Sequence, residues 1–188
     1  MNSNRRQFLK SSGLAATGLA TTALNGFAPP PGADQLDGES KNRKQRFNMC
    51  GYTAPKLDKV RIGVIGLGNR GTGAIPRLIH IDGVELKALC DIKEVQAKKA
   101  AESLKGSTHH PVLYSGNENE WQKLCERDDI DLVYITTPWK WHTPMAVYAM
   151  KNGKHAASEV PAAVTLEQCW ELVETSEKTK KHCMMLEN

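Results

Sequence analysis

The chain has 188 residues, 40% of them hydrophobic and 24% charged, which is room for one folded domain of ordinary size and an appendage. Its net charge of +4 sits wholly in residues 1–48, where seven Lys or Arg face three acids; the remainder balances at 18 against 18. A neutral domain without a basic stripe excludes an electrostatic case for nucleic acid, and five scattered cysteines without a Cys-x-x-Cys pair exclude a structural zinc or other metal site, leaving buried free thiols as the expectation.

At the start of the chain, Asn4-Arg5-Arg6-Gln7-Phe8-Leu9-Lys10 resembles the twin-arginine export signal, with Asn4 where Ser or Thr is usual. Residues 11–28 follow as a mildly apolar stretch, too short and too polar to span a membrane. Gly13, Gly18 and Gly26 favour the twin-arginine route over a more hydrophobic secretory signal, and no Cys follows that could carry a lipid anchor. The alternative is a flexible arm with a chance Arg pair. Residues 1–28 are therefore expected to direct a folded protein to the periplasm, without a stable membrane anchor. Pro29-Pro30-Pro31-Gly32 opens a polar run with little apolar surface to bury, so residues 29–56 are expected to be a disordered linker and 57–188 the folded domain.

From Val60 the pattern changes. Residues 60–66, Val-Arg-Ile-Gly-Val-Ile-Gly, form an apolar run ending in glycine, which suits a buried parallel strand. A helix is predicted over 70–79, limited or kinked by Pro76. A second strand is predicted over 84–90, ending at Asp91, then a helix over 93–104 stopped by Gly106. A short third strand follows over 112–114 and a short helix over 118–127. Residues 131–137 read as a fourth strand halted by Pro138. A helix over 143–151 stops at Asn152-Gly153, and a fifth strand covers 154–159. The last helix, 165–181, opens on a capping box of Thr165 with Gln168, and 183–187 form a sixth strand. Such alternation gives an α/β fold: a doubly wound parallel sheet with helices on both faces.

Gly66-Leu67-Gly68-Asn69-Arg70-Gly71 matches G-x-G-x-x-G, follows a buried strand and opens a helix, with Asp91 twenty residues beyond Gly71 at the end of the next strand. In that context the motif is the dinucleotide fingerprint of a Rossmann fold. Gly66 permits the tight turn, Gly68 lets the backbone approach a pyrophosphate, and Gly71 lets the helix pack closely. Asp91 accepts ribose hydroxyls and repels a 2′-phosphate, which favours NAD over NADP, with Lys93 softening the repulsion. Ligands of open α/β sheets bind outside the carboxyl ends of the strands. The loop after strand four (Thr136-Thr137-Pro138-Trp139-Lys140-Trp141-His142) and the end of strand five (Glu159-Val160-Pro161) are therefore expected at the same edge, as is Asn188 after strand six. The two tryptophans could instead pack against another part of the protein, and His142 could be a helix-start residue without chemistry.

These segments together resemble the Gfo/Idh/MocA family of NAD(P)-dependent sugar oxidoreductases. Within it, the stretches GLGNRG, TTPWKWHTPMAVYAM, SEVPAAVT and HCMMLEN resemble glycoside hydrolase family 109, the NAD-dependent α-N-acetylgalactosaminidases, over residues 48–188. The wider family usually carries Glu-Lys-Pro after strand five, its lysine often catalytic; here Val160 takes that place. The resemblance implies NAD contacts at Asn69, Arg70, Asp91, Trp139, Lys140, Trp141, His142, Glu159, Val160 and Asn188. It also implies a redox-neutral hydrolysis of a terminal α-N-acetylgalactosamine: oxidation at C3 of the sugar, elimination of the aglycone, re-addition of water, and return of the hydride. The family's substrate-binding and base residues are expected beyond residue 188, in a second α/β domain that also supplies oligomer contacts, so no catalytic residue is assigned. The full-length form is expected to be a homo-oligomer, and this chain alone to be the NAD-binding half, inactive on glycosides. The alternatives are a periplasmic NAD-dependent sugar dehydrogenase and a non-enzymatic dinucleotide-binding protein or inactive fragment.

Overall fold

Alternate residues of an extended apolar run must face opposite sides of a sheet, and β1 (Val60–Ile65) shows the consequence. Ile62 and Val64 join one buried cluster while Ile65 joins the other. The computed structural model describes residues 43–187, and the unit beginning at Gln45 continues with α1 (Asn69–Leu78), β2 (Val84–Asp91), α2 (Glu94–Glu102) and β3 (Val112–Ser115). Then come α3 (Glu120–Cys125), β4 (Leu132–Ile135), a 3₁₀ turn (Trp139–Trp141), α4 (His142–Lys151), β5 (His155–Glu159), α5 (Leu166–Thr179) and β6 (Cys183–Leu186). The six strands form one parallel sheet in the order β3-β2-β1-β4-β5-β6, so the chain reverses its direction of travel across the sheet between β1 and β4. A crevice opens outside the carboxyl ends of the strands at such a switch point.

Helices cover both faces. Ala74 and Ile75 of α1 and Ala97 and Ala100 of α2 close one side over Ile62, Val64, Leu86, Leu89 and Tyr134. Trp121, Leu124 and Cys125 of α3 and Met145, Ala149 and Met150 of α4 close the other over Ile65, Val133 and Ile135. Alanine dominates where the α2 helix meets the sheet, because small side chains allow close backbone approach.

The elements follow the sequence pattern, with local differences of physical origin. Helix α1 runs through Pro76 and ends two residues later, at Leu78. Strand β4 is shorter than the predicted 131–137: it ends at Ile135, and after Thr136, whose N–H still reaches β1, the chain enters the crevice loop. The loop's Trp139–Trp141 segment coils into a 3₁₀ turn that the apolar pattern did not announce. Thr165 caps α5 by accepting the Gln168 N–H at 3.2 Å, but Gln168 Oε1 returns the contact to the Val164 N–H (2.9 Å), one residue before the expected partner.

The expectations for residues 1–28, and for the linker as far as residue 42, lie outside the described residues. The rest of that linker needs correcting: residues 45–52 pack on the domain rather than run free. The Arg46 N–H donates to Glu177 Oε2 (2.8 Å), Phe47 and Tyr52 meet edge to face, and Tyr52 lies against His182. Two aromatic rings supply the burial that the polar composition around them concealed. The thiol expectation also needs correcting, since Cys90 and Cys125 are buried but Cys50 and Cys169 are exposed.

A latch sets the entry of β4 beside β1. Asp131 Oδ2 accepts the main-chain N–H and Nε of Arg61, both at 2.9 Å, and Oδ1 accepts Nη2 at 2.6 Å. Donation from Arg61 holds the Asp131 carboxyl below its ordinary value against the opposing effect of burial. Its stabilising contribution is therefore present at neutral pH and lost as pH falls through the depressed value. Asp131→Ala is expected to cost about 2 kcal/mol at pH 7 and less at pH 3. Urea unfolding at both values checks this, and an equal deficit at the two pH values would refute it.

Candidate functional site

The crevice is a cleft of about 600 Å³ lined by the ends of β1, β2 and β4 and by the first turns of α1 and α3. Its floor is the turn after β1. Gly66 has φ +90°, a region that disfavours side chains, and an added Cβ would lie 2.9 Å from the Thr136 carbonyl and the Thr137 nitrogen. Thr136 locks the turn from the β4 side, its hydroxyl donating to the Gly66 carbonyl and its N–H to Ile65 O (2.8 Å). At Gly71 the helix comes so close that a Cβ would stand 1.9 Å from Gly66 O. Gly68 differs: a methyl added there would meet nothing within 4 Å, so the space beside it belongs to the cleft.

Whether a dinucleotide suits these groups can be read from their unused capacity. Helix α1 begins without a side-chain cap and without an acid in its first turn, so its leading N–H groups and positive dipole end are left for an anion such as a diphosphate. Asp91 faces the cleft at the end of β2. Its Oδ2 accepts the Leu67 N–H at 2.7 Å and its Oδ1 the Lys93 N–H at 2.8 Å, which fixes the carboxylate and leaves lone pairs on both oxygens for ribose hydroxyls. The apolar flank comes from Trp121 and Trp141, whose ring centroids are 6.4 Å apart. Cys90 also lines the cleft, but burial pushes its thiol up to about 12, so it is not a ready nucleophile. The residues fit the cofactor.

Of the residues expected from sequence, Gly66, Gly68, Asn69, Arg70, Asp91, Lys140 and Trp141 line the cleft, and Gly71 sits behind it. Trp139, His142, Glu159 and Val160 do not line it. Trp139 is largely exposed, and Asn188 lies outside the described residues. His142 is buried beneath the loop, its Nε2 and Nδ1 each 2.7 Å from a main-chain carbonyl, those of Thr137 and Pro161. The ring thus sits between the loops after β4 and β5, with an N–H for one carbonyl or the other according to its tautomer, and Thr143 adds a bond from its hydroxyl to Ala162 O (2.9 Å).

Glu159 is almost buried at the end of β5, where it accepts Tyr134 Oη at 2.5 Å and Arg70 Nη2 at 2.7 Å. Burial alone would push its carboxyl up, but donation by Tyr134 and Arg70 outweighs that and holds it below the usual value. Sequence reasoning missed Trp121, Asn117 and Glu118 as cleft residues. Their one available signal was topological, since they follow β3, the neighbour of β2, at the same edge of the sheet.

Residues 60–187 match the model of an oxidoreductase family with an NAD-binding Rossmann fold. Among curated proteins, a glycosyl hydrolase family 109 protein of Shewanella baltica is 44% identical, and an alpha-N-acetylgalactosaminidase of Shewanella oneidensis 43%. Both alignments take in 100% of this chain but 40% of the relative, so the chain spans well under half the length of these proteins. Among solved structures, a WlbA dehydrogenase from Chromobacterium violaceum, in complex with NADH and UDP-GlcNAcA, is similar with a TM-score of 0.57 and 28% identity, over 71% of this chain and 37% of that one.

Proposed function

This chain belongs to the Gfo/Idh/MocA oxidoreductase family with its NAD-binding Rossmann fold, and on that premise we propose that it is the cofactor-binding part of an NAD-dependent α-N-acetylgalactosaminidase of glycoside hydrolase family 109. The carrying observation is identity of 43–44% across the whole chain to relatives bearing those two names. Val160 supports the reading from the sequence. It leaves no amine at the end of β5, where a dehydrogenase of this family would place its lysine.

The chain's own groups bind and position. Asp91 takes the ribose hydroxyls, the open N-terminus of α1 with Gly68 takes the diphosphate, and the loop over His142 closes one side of the cleft. Bound there, a nicotinamide supplies reversible hydride acceptance from a sugar carbon, C3 in this proposal, making the C2 proton acidic enough for elimination of the aglycone. No residue of this chain is assigned as the base. The substrate is a small glycoside, and the complete enzyme is a homo-oligomer exported through the Arg5-Arg6 signal with its cofactor already bound.

The test is incubation of the full-length protein, isolated from the periplasmic fraction, with an aryl α-N-acetylgalactosaminide in deuterated water. Aglycone release without net NADH, with deuterium at C2 of the sugar, is expected. NADH formed mole for mole with product would instead indicate a dehydrogenase, and protein recovered only from the cytoplasm would refute export.

A further inference from the structure

Tyr134 is the one polar side chain on the buried face of β4 that packs with α1, and its hydroxyl is spent on a single partner, Glu159. Glu159 in turn receives Arg70 through Nε at 3.1 Å and Nη2 at 2.7 Å, although 89 residues separate the two in sequence. The three residues thus tie together the middle of β4, the end of β5 and the second residue of α1. We propose that Tyr134 is a positioning residue of the dinucleotide site, holding Glu159 so that Glu159 fixes Arg70 beside the glycine turn.

Electrostatics gives the chain of three a purpose. A cation in the first turn of a helix adds to the positive dipole end, and α1 has no acid of its own in that turn to balance Arg70. The balancing charge is Glu159, delivered from the other half of the sheet. Arg70 is 56% exposed along its side chain and lines the cleft, so its conformation is set by polar anchoring more than by packing. Anchored, it presents a fixed wall and a fixed charge to the incoming diphosphate. Without the Glu159 carboxylate it is held less firmly, and binding must restore that order. Tyr134 does not line the cleft, and it acts through Glu159.

This inference rests on dinucleotide binding and is independent of the glycosidase reading. The groups that bear on Glu159 are Tyr134 from β4 and Arg70 and Arg77 from α1. Protonating Glu159 loosens Arg70, so NAD affinity of the full chain should fall on acidification. Tyr134→Phe keeps the ring in the core and deletes one donor to the carboxylate. It should move that acid limb upward, with affinity several-fold weaker than wild type in the interval between. Glu159→Gln, which cannot ionise, should bind NAD weakly, and adding Tyr134→Phe to it should shift the pH profile no further. Calorimetric titration of NAD across pH, with thermal melts of each variant as a separate measure of folding, decides the matter. A wild-type pH profile in Tyr134→Phe would overturn the positioning role alone, as would a further shift of the profile when Tyr134→Phe is added to Glu159→Gln. A wild-type chain that binds no NAD at any pH would overturn the role and the cofactor assignment together.

Discussion

Gly71→Ala is expected to destabilise the domain by about 3 kcal/mol, near the upper end for overpacking, and to abolish dinucleotide binding. The added Cβ meets the Gly66 carbonyl at 1.9 Å and the Thr136 hydroxyl at 2.7 Å. The first is main chain in a turn that β1 and β4 both hold, so it cannot rotate away as a side-chain tip could. Either α1 lifts off the sheet or the turn opens, and both spoil the floor of the cleft. Gly68→Ala is the paired control, because nothing stands within 4 Å of its Cβ and its backbone is an ordinary extended one. Its stability should stay within about 0.5 kcal/mol of wild type, while NAD affinity drops at least about tenfold because the methyl fills space that the diphosphate needs. Thermal melts and calorimetric titration of the two variants separate the roles. Equal melting temperatures for Gly71→Ala and wild type would refute the packing argument, and unweakened binding by Gly68→Ala would refute the placement of the diphosphate.

Asp91→Ala is expected to weaken NAD binding by on the order of thirtyfold, the loss of about 2 kcal/mol for hydrogen bonds to a charged group. Two effects coincide at this carboxylate. Its main-chain bonds to Leu67 and Lys93 tie the glycine turn to the start of α2, so its removal loosens the cleft itself. Its remaining lone pairs are those offered to the ribose, and its charge opposes a 2′-phosphate. The preference for NAD over NADP should therefore collapse, with NADP affinity rising or holding while NAD affinity falls. Measuring both dissociation constants at one ionic strength tests this. A variant that loses both cofactors equally would show that Asp91 only braces the turn.

Much of this site is readable without coordinates because it is local. Residues 66–71 and Asp91 form the turn and the end of the next strand, and strand–turn–helix geometry leaves the positions of these groups little freedom. The alternation of apolar strands with helices likewise implied the parallel sheet, and the Thr165 cap was visible at its spacing. Other features were hidden by sequence distance. Nothing near Tyr134 points to Glu159, nor near Arg70 to a carboxylate 89 residues away. His142 shows the same limit in another form. Its place after Trp141 suggested a ligand contact, whereas its ring lies buried between carbonyls of two different loops. The aromatic anchoring of residues 45–52 was masked by polar neighbours, since composition averages over a window while packing acts through single rings.

What the sequence by itself determined is the kind of fold and the kind of ligand. Periodicity dictates which faces are buried, and a glycine turn between strand and helix has few uses besides cradling phosphate. Only the tertiary structure decided which cleft-edge residues face the ligand space and which support them. That division depends on how strands β1, β4 and β5 are brought side by side, and main-chain register between distant segments leaves no mark on the residues themselves.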